Sequence, residues 1–254
     1  MSIDICIPKN NEEELLKRAK ELGYSEIVFL YGFKSKAEIL NKKNEIKKVK
    51  SGLKVYVGAF ILARSVSDIK KLQNLYLDAD LIAVSAQNED LVRFASEQAY
   101  VDVVFGVTTA FGKDHFQYRR SNFNAVIANM MREGRQAYAL SFAHLLSFSG
   151  AARAKILGRE IQNIYFARRK IPIITASFAS DVWQMRLPEN LSAVLRVLGA
   201  NYPQSKAATS TAIEGILKRK EQRRSKNFVR AGVKLVSRQL FFLLKKKETL
   251  PGTI

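Results

Sequence analysis

Residues 3–31, IDICIPKNNEEELLKRAKELGYSEIVFLY, hold a complete strand–helix–strand unit, and their reading sets the fold. Ile3, Ile5 and Ile7 mark a short strand. Asn10 or Asn11 can cap a helix whose first turn carries Glu12, Glu13 and Glu14, carboxylates suited to the positive end of the helix dipole. Leu15, Leu16, Ala19 and Leu22 form the buried stripe of that helix, and Gly23 is positioned to end it. Ile27, Val28, Phe29 and Leu30 then read as a second strand, apolar on both faces.

The alternation continues down the chain. Further strand-like runs lie at 55–62, 81–84, 101–107, 137–142 and 171–176, with helical stretches at 67–77, 89–99, 123–132 and 151–169. Near-continuous apolar strands separated by amphipathic helices predict a parallel sheet covered by helices. Seven such strands, followed by further helix, predict an α/β fold of TIM-barrel type with a seven-stranded parallel βα barrel and extra C-terminal helices. An open doubly wound sheet is the competing architecture. Two regions break the rhythm. Residues 34–51 read as a lysine-rich insertion between the second and third strands, and the chain beyond Leu198 becomes helical and then strongly basic. With no repeat and no low-complexity linker, residues 1–236 are expected to form one domain and 237–254 a basic, apolar tail.

Charge is distributed unevenly. The chain of 254 residues carries 42 Lys and Arg against 23 Asp and Glu, a net +19. Residues 1–100 hold 16 basic and 14 acidic side chains, 101–200 hold 13 and 6, and 201–254 hold 13 and 3. A field of this sign concentrates polyanions at the surface, and inside a cell the usual polyanion is nucleic acid. Cys6 is the only cysteine, which excludes a disulfide framework and fits a reducing compartment. Met1 to Asn10 lacks the pattern of a secretory signal, and no apolar run approaches the roughly 20 residues that span a bilayer. A cytoplasmic protein without a membrane segment is the expectation.

Catalytic chemistry is hard to find. Barrel enzymes place their reacting groups at the carboxyl ends of strands. Here those ends offer Cys6, Ile7, Pro8, Tyr31, Arg64, Ser85, Thr108, Thr109, His144 and Ser177, with no paired carboxylates. His115 and His144 are the only histidines, too few for a histidine-rich metal cluster. A lone strand-end histidine such as His144 reads as a hydrogen-bonded packing residue. Asp4 and Asp102 sit at strand starts, where a structural role is the better reading. Neither GxGxxG nor GxxxxGK[ST] occurs.

Candidate phosphate anchors are plentiful. Arg153, Lys155 and Arg159 project from one helix, the last two a turn apart on one face, and read as exposed contacts for RNA. Arg153 falls in the first turn, where a cation is unfavourable without an anion. Arg168 and Arg169 finish the same helix, where the bland reading is helix termination. Arg64, Arg93 and Arg186 are isolated, and Arg219, Arg223 and Arg224 cluster near the end of the helical region. Arginine grips phosphate oxygens with a planar fork, so all of these join the candidate RNA-binding set.

Several stretches, in order, resemble one family. They are Leu81-Ile-Ala-Val-Ser85, Arg93-Phe-Ala95, Val101-Asp-Val-Val104, Gly150-Ala-Ala-Arg-Ala-Lys-Ile-Leu157, Ile171-Pro-Ile-Ile-Thr-Ala-Ser177, Arg186-Leu-Pro188 and Phe228-Val-Arg-Ala-Gly-Val-Lys-Leu-Val236. The family is archaeal ribonuclease P protein component 3, and the resemblance covers roughly residues 1–236. It implies a barrel-like, non-catalytic subunit of the ribonucleoprotein that removes the 5′ leader from precursor tRNA. It also implies a fold similar to the polymerase and histidinol phosphatase (PHP) phosphoesterases, which open with Asp-Leu-His-x-His. Asp4-Ile-Cys-Ile-Pro8 instead puts Cys6 and Pro8 where the metal-binding histidines would lie. Ala139 stands where the family often has an acid, and residues 237–254 extend past its usual end.

The resulting expectation is a subunit that binds and stabilises the catalytic RNA and does no chemistry itself. Implied partners are the ribonuclease P RNA, ribonuclease P protein component 2, the other protein subunits and, through the holoenzyme, precursor tRNA. No cofactor is expected on this chain, with Mg2+ serving the RNA. Rival readings are a metal-dependent barrel phosphoesterase or phosphosugar enzyme, and a peripheral membrane or basic scaffold protein acting through its basic, Phe-rich tail, residues 237–254.

Overall fold

The computed structural model describes residues 2–49, 51–110 and 112–225, together with the backbone of 228–230 and 233–234. Seven strands lie side by side in chain order, all parallel: β1 (Ile3–Cys6), β2 (Glu26–Tyr31), β3 (Lys54–Leu62), β4 (Ile82–Ser85), β5 (Val103–Phe105), β6 (Ala137–Ser141) and β7 (Ile173–Ala176). Sequential neighbours with a helix in each crossover are the signature of a βα barrel. Closure is completed just past β7. Phe178 donates its amide to Ile5 O at 2.7 Å and Ile7 donates to Ala179 O at 2.8 Å, while Cys6 and Ala179 form a single parallel bridge. The seven-stranded, nearly closed barrel bears out the expected TIM-barrel-like class.

The connecting helices are α1 (Glu12–Glu21), α2 (Lys36–Lys48), α3 (Val66–Lys71), α4 (Glu89–Glu97), α5 (Ala125–Glu133), α6 (Phe142–Leu146), α7 (Gly150–Ala167), α8 (Pro188–Val197), α9 (Tyr202–Ala208) and α10 (Thr211–Arg224). Residues 34–51 are thus no insertion. Ser35 caps α2 by accepting from the Glu38 amide, Ile39 and Ile46 bury against the outside of the sheet, and the segment is the regular β2–β3 crossover. Several of its lysines are paired, Lys42 with Glu12 at 3.0 Å and Lys43 with Asp80 at 2.6 Å. The backbone of 228–230 and 233–234 forms a small antiparallel pair, and the apolar tail lies outside the described residues.

Two apolar cores divide at the sheet. The outer one packs helices on strands. The inner one fills the lumen with alternate side chains of each strand, including Ile5, Leu30, Tyr56, Ala83, Ala139 and Ile174. Seven strands enclose a narrow lumen, and Gly58 shows how narrow. A Cβ there would lie 2.6 Å from Leu30 Cδ2 and 2.8 Å from Leu81 O. At the carboxyl end the lumen is stoppered by aromatic rings. Phe105 stacks on Phe178 at 4.5 Å between centroids, with Phe60 at 6.4 Å from Phe105. At the opposite end Ile213, Ile216 and Leu217 of α10 join the same core. Lys220 of α10 is buried there, 2.7 Å from Asp102 Oδ2 and 3.8 Å from the centre of the Tyr76 ring.

Candidate nucleic-acid interface

Where barrel enzymes keep an open catalytic pit, this barrel has its phenylalanine stopper. Below it, Asp4 uses its carboxylate to brace the closure of the barrel. Its Oδ1 accepts from the amides of Ile5 (2.9 Å) and Ser177 (2.7 Å), and its Oδ2 from the Ser177 hydroxyl (2.6 Å). Cys6 is buried beside them, with its thiol pushed up by desolvation and by the neighbouring carboxylate. His144 packs as read, its Nε2 3.0 Å from Thr108 O and its ring edge-on to Phe148. Burial holds its pKa below the ordinary imidazole value. Among the described residues no group of three or more His, Cys, Asp or Glu could hold a metal ion, and no helix is long and apolar enough to cross a membrane.

The feature that projects from this face is the β5–α5 connection, residues 106–124. A connection this long, with no helix or strand among its described residues and anchored as this one is, is usually functional. Asp114 is its only acid, against Lys113, Arg119 and Arg120. Helix α7 holds the loop in place. Arg159 is fully buried and donates to Asp114 Oδ1 (2.7 and 2.9 Å), to Gly112 O (3.1 Å) and to Thr109 O. Lys155 Nζ donates to Gly112 O at 2.6 Å. One turn beyond Arg159, the Gln162 amide clamps the backbone of Arg119, donating to its carbonyl and accepting from its N–H, both at 2.8 Å.

Beneath the loop, the buried Glu160 accepts from Thr108 Oγ1 (2.7 Å) and Tyr138 Oη (2.6 Å), and burial raises its carboxyl to about 6. Further along, Asn122 takes a left-handed backbone (φ 55°), which asparagine tolerates, and its side chain donates to Val107 O and Gln87 O, each at 2.9 Å. The Arg119 guanidinium lies flat on α7 because position 158 is glycine. A Cβ there would stand 2.6 Å from Arg119 Nη1.

At the tip, His115 donates its amide to Tyr118 O at 3.0 Å, and the two rings stack at 4.4 Å between centroids. Phe116 is fully exposed between them in sequence. Tyr118, Arg119, Arg120, Gln162 and Phe166 help line a cleft of about 670 Å³ at the base of the tip.

The expected contacts do not converge on one surface. In a βα barrel the helix N-termini share the face of the strand carboxyl ends, so α7 carries Arg153 and Lys155 near the mouth and Arg168 and Arg169 at the opposite end. Arg153 is exposed and donates to Phe148 O at 2.6 Å. Arg64 is exposed in the loop after β3. Arg93 is exposed on α4, 3.5 Å from Glu97. Arg186 is half-buried, bonded to Trp183 O and Met185 O and lying over Phe142. Arg168 donates to Gly199 O at 3.0 Å, and Arg169 beside it is exposed. Arg219, Arg223 and Arg224 fall on α10, with Arg223 over Tyr76 and Arg224 bonded to Asp80.

The largest correction is Arg159. Read as an exposed RNA contact, it is a buried brace of the 106–124 loop, with Lys155 sharing that work. What the sequence reading passed over is the run Lys113-Asp-His-Phe-Gln-Tyr-Arg-Arg120. Its cations interleaved with aromatics were a visible signal of nucleic-acid contact.

Comparison with known proteins agrees with the barrel and with the resemblance read from the sequence. A search of the curated proteins finds no match. Among solved structures, a chain of the "cryo-EM structure of archaeal Ribonuclease P with mature tRNA" is similar with a TM-score of 0.75 and 24% identity, over 93% of this chain and 99% of that chain. At that identity the likeness speaks for the fold. The model of the RNase P subunit p30 family matches residues 1–225, which take in the whole described barrel, and the chain belongs to that family.

Proposed function

We propose that this chain, a protein subunit of ribonuclease P, works by neutralising RNA phosphates at the mouth of its barrel and so helps hold the catalytic RNA in its active form. The observation that carries the reading is the braced 106–124 loop. It leaves Lys113, Arg119 and Arg120 exposed while its single acid, Asp114, binds the buried Arg159 through Oδ1 and lies 3.9 Å from Arg119 through Oδ2. Arg64 and Arg153 are exposed on the same end of the barrel and extend the candidate contact set. The opposite end offers Arg168, Arg169, Arg219 and Arg223 as a second, separate set.

In this reading the RNA and its Mg2+ perform the hydrolysis, and the chain binds no cofactor of its own. The strand ends support that division of labour, because Asp4 and His144 there are engaged in hydrogen bonds that brace the barrel. Partners are the ribonuclease P RNA, protein component 2 and the other subunits, with precursor tRNA met through the holoenzyme in the cytoplasm. Residues 1–236 act as one barrel unit, with 237–254 as a basic extension. The structural relative was solved in complex with mature tRNA, which is consistent with this assembly.

Reconstitution tests the proposal. Precursor-tRNA cleavage is measured with the RNA subunit and the partner proteins, with and without this chain. Faster 5′-leader removal when the chain is added is expected, with no cleavage by the chain alone. Equal rates with and without it, or Mg2+-dependent cleavage by the chain in the absence of the RNA, overturn the reading.

A further inference from the structure

The tip of the 106–124 loop carries more than charge. A single exposed aromatic ring is ordinary on a protein surface, but exposed rings interleaved with cations on one loop tip make a surface suited to nucleobases and phosphates. Phe116 is fully exposed, and Tyr118, stacked on His115, is more than half exposed. The segment that holds them is anything but loose. Lys155 and Gln162 fix the backbone at 112 and 119, Arg159 holds the Asp114 carboxylate, and the hydrogen bond from the His115 amide to Tyr118 O closes the tip. Rigid, exposed aromatic rings are therefore maintained at the end of an anchored arm. Cations surround them. Lys113, Arg119 and Arg120 are exposed within the same eight residues, and the Arg120 amide donates to Asp114 at 3.0 Å, which helps hold that carboxylate in place.

We propose that this tip is a stacking site for an unpaired nucleobase of RNA, with Phe116 and the Tyr118–His115 pair offering ring faces and Arg119 and Arg120 holding the flanking phosphates. The inference rests on the RNA-binding reading above and specifies the class of RNA it takes. Base–aromatic stacking needs a base face freed from its helix, so the site selects single-stranded or bulged RNA over continuous duplex. A guanidinium laid flat and a pre-stacked ring pair lower the ordering cost on binding. The depression of about 670 Å³ beside Tyr118 and Arg119 gives a displaced nucleotide somewhere to lie.

The test uses the full chain and two probes of equal length: a single-stranded oligoribonucleotide carrying 2-aminopurine, and a fully paired RNA duplex. Quenching of 2-aminopurine on binding is expected. Phe116→Ala and Tyr118→Ala should each weaken the single-strand affinity about tenfold, as for loss of one stacked base, and leave duplex affinity unchanged. Phe116→Trp should keep the parent affinity. Because Phe116 is fully exposed, its substitution leaves folding intact, and equal melting temperatures verify this.

Alanine variants that bind the single strand as tightly as the parent overturn the stacking site. So does an equal loss on both probes, which would mean that the tip grips backbone. Alanine variants that retain RNA binding but no longer co-purify with a partner subunit overturn it in favour of a protein interface. In all three cases the RNA-binding reading survives. If the parent chain binds neither probe even at low salt, that reading falls as well.

Discussion

Glu160 sits wholly buried between two hydroxyl groups, and desolvation lifts its carboxyl from the ordinary 4.5 to about 6 despite the bonds it accepts from Tyr138 and Thr108. Asp4 is raised from 3.8 to about 6 by the same cause, against hydrogen bonds from Ser177 and Ile5. A carboxyl whose folded pKa is raised contributes stability that is present below its unfolded pKa and is lost as pH rises through the folded one. For Glu160 the window is 4.5 to about 6, and the loss amounts to about 2 kcal/mol. Gln at this position mimics the protonated acid, with Thr108 turning its hydroxyl to accept. The melting temperature of Glu160→Gln relative to the parent should therefore climb between pH 4.5 and 6 and level off above. A difference that stays flat or falls across that window would show that Glu160 remains an ordinary carboxylate. Acids held below their usual range, such as Asp80 beside Lys43 and Arg224, act at lower pH and with the opposite sign.

Helix α10 closes the foot of the barrel, and its two faces should respond differently to substitution. Lys220 is buried against Asp102, which also accepts from the Ile82 amide at 2.8 Å, so removing the ammonium strands a buried carboxylate. Lys220→Ala should cost about 3 kcal/mol in urea unfolding. Lys218→Ala, whose exposed side chain pairs with Glu214 along the same helix, should leave the midpoint where it is. Equal effects of the two would mean that α10 is not a plug. The sequence made this half legible. The strands could be read because lumen and outer faces are both apolar, as at Val28 and Phe29, whose side chains fall in different cores. Helix α2 could not, because only Ile39 and Ile46 are buried in a run of lysines whose partners, such as Asp80, lie far along the chain. Arg159 misled for the same reason. Its spacing from Lys155 was correct, but burial depends on a loop 45 residues away, which periodicity does not see.

At the scale of the whole molecule, the excess of positive charge is partly structural and partly free to act. Lys43, Arg159, Lys220 and Arg224 are tied into the fold by Asp80, Asp114 and Asp102, so they add little to any field an RNA would meet. The mouth is different, since Lys113, Arg119 and Arg120 are exposed, and Arg119, although 3.9 Å from Asp114, keeps about half of its side chain in solvent. Each phosphate neutralised there releases condensed counterions, so log K should fall linearly with log salt by about 0.7 for every single-strand contact. Measured by anisotropy across a salt series, the full chain should show a steep negative slope on a single-stranded oligoribonucleotide. Replacing Arg119 and Arg120 together with alanine should make that slope shallower by about 1.4, the share of two contacts. Replacing Arg93, which pairs with Glu97 on the outer ring of helices, should leave it unchanged. A salt-insensitive affinity, or a slope that responds to Arg93 and ignores Arg119 and Arg120, would move the RNA footprint away from the mouth of the barrel.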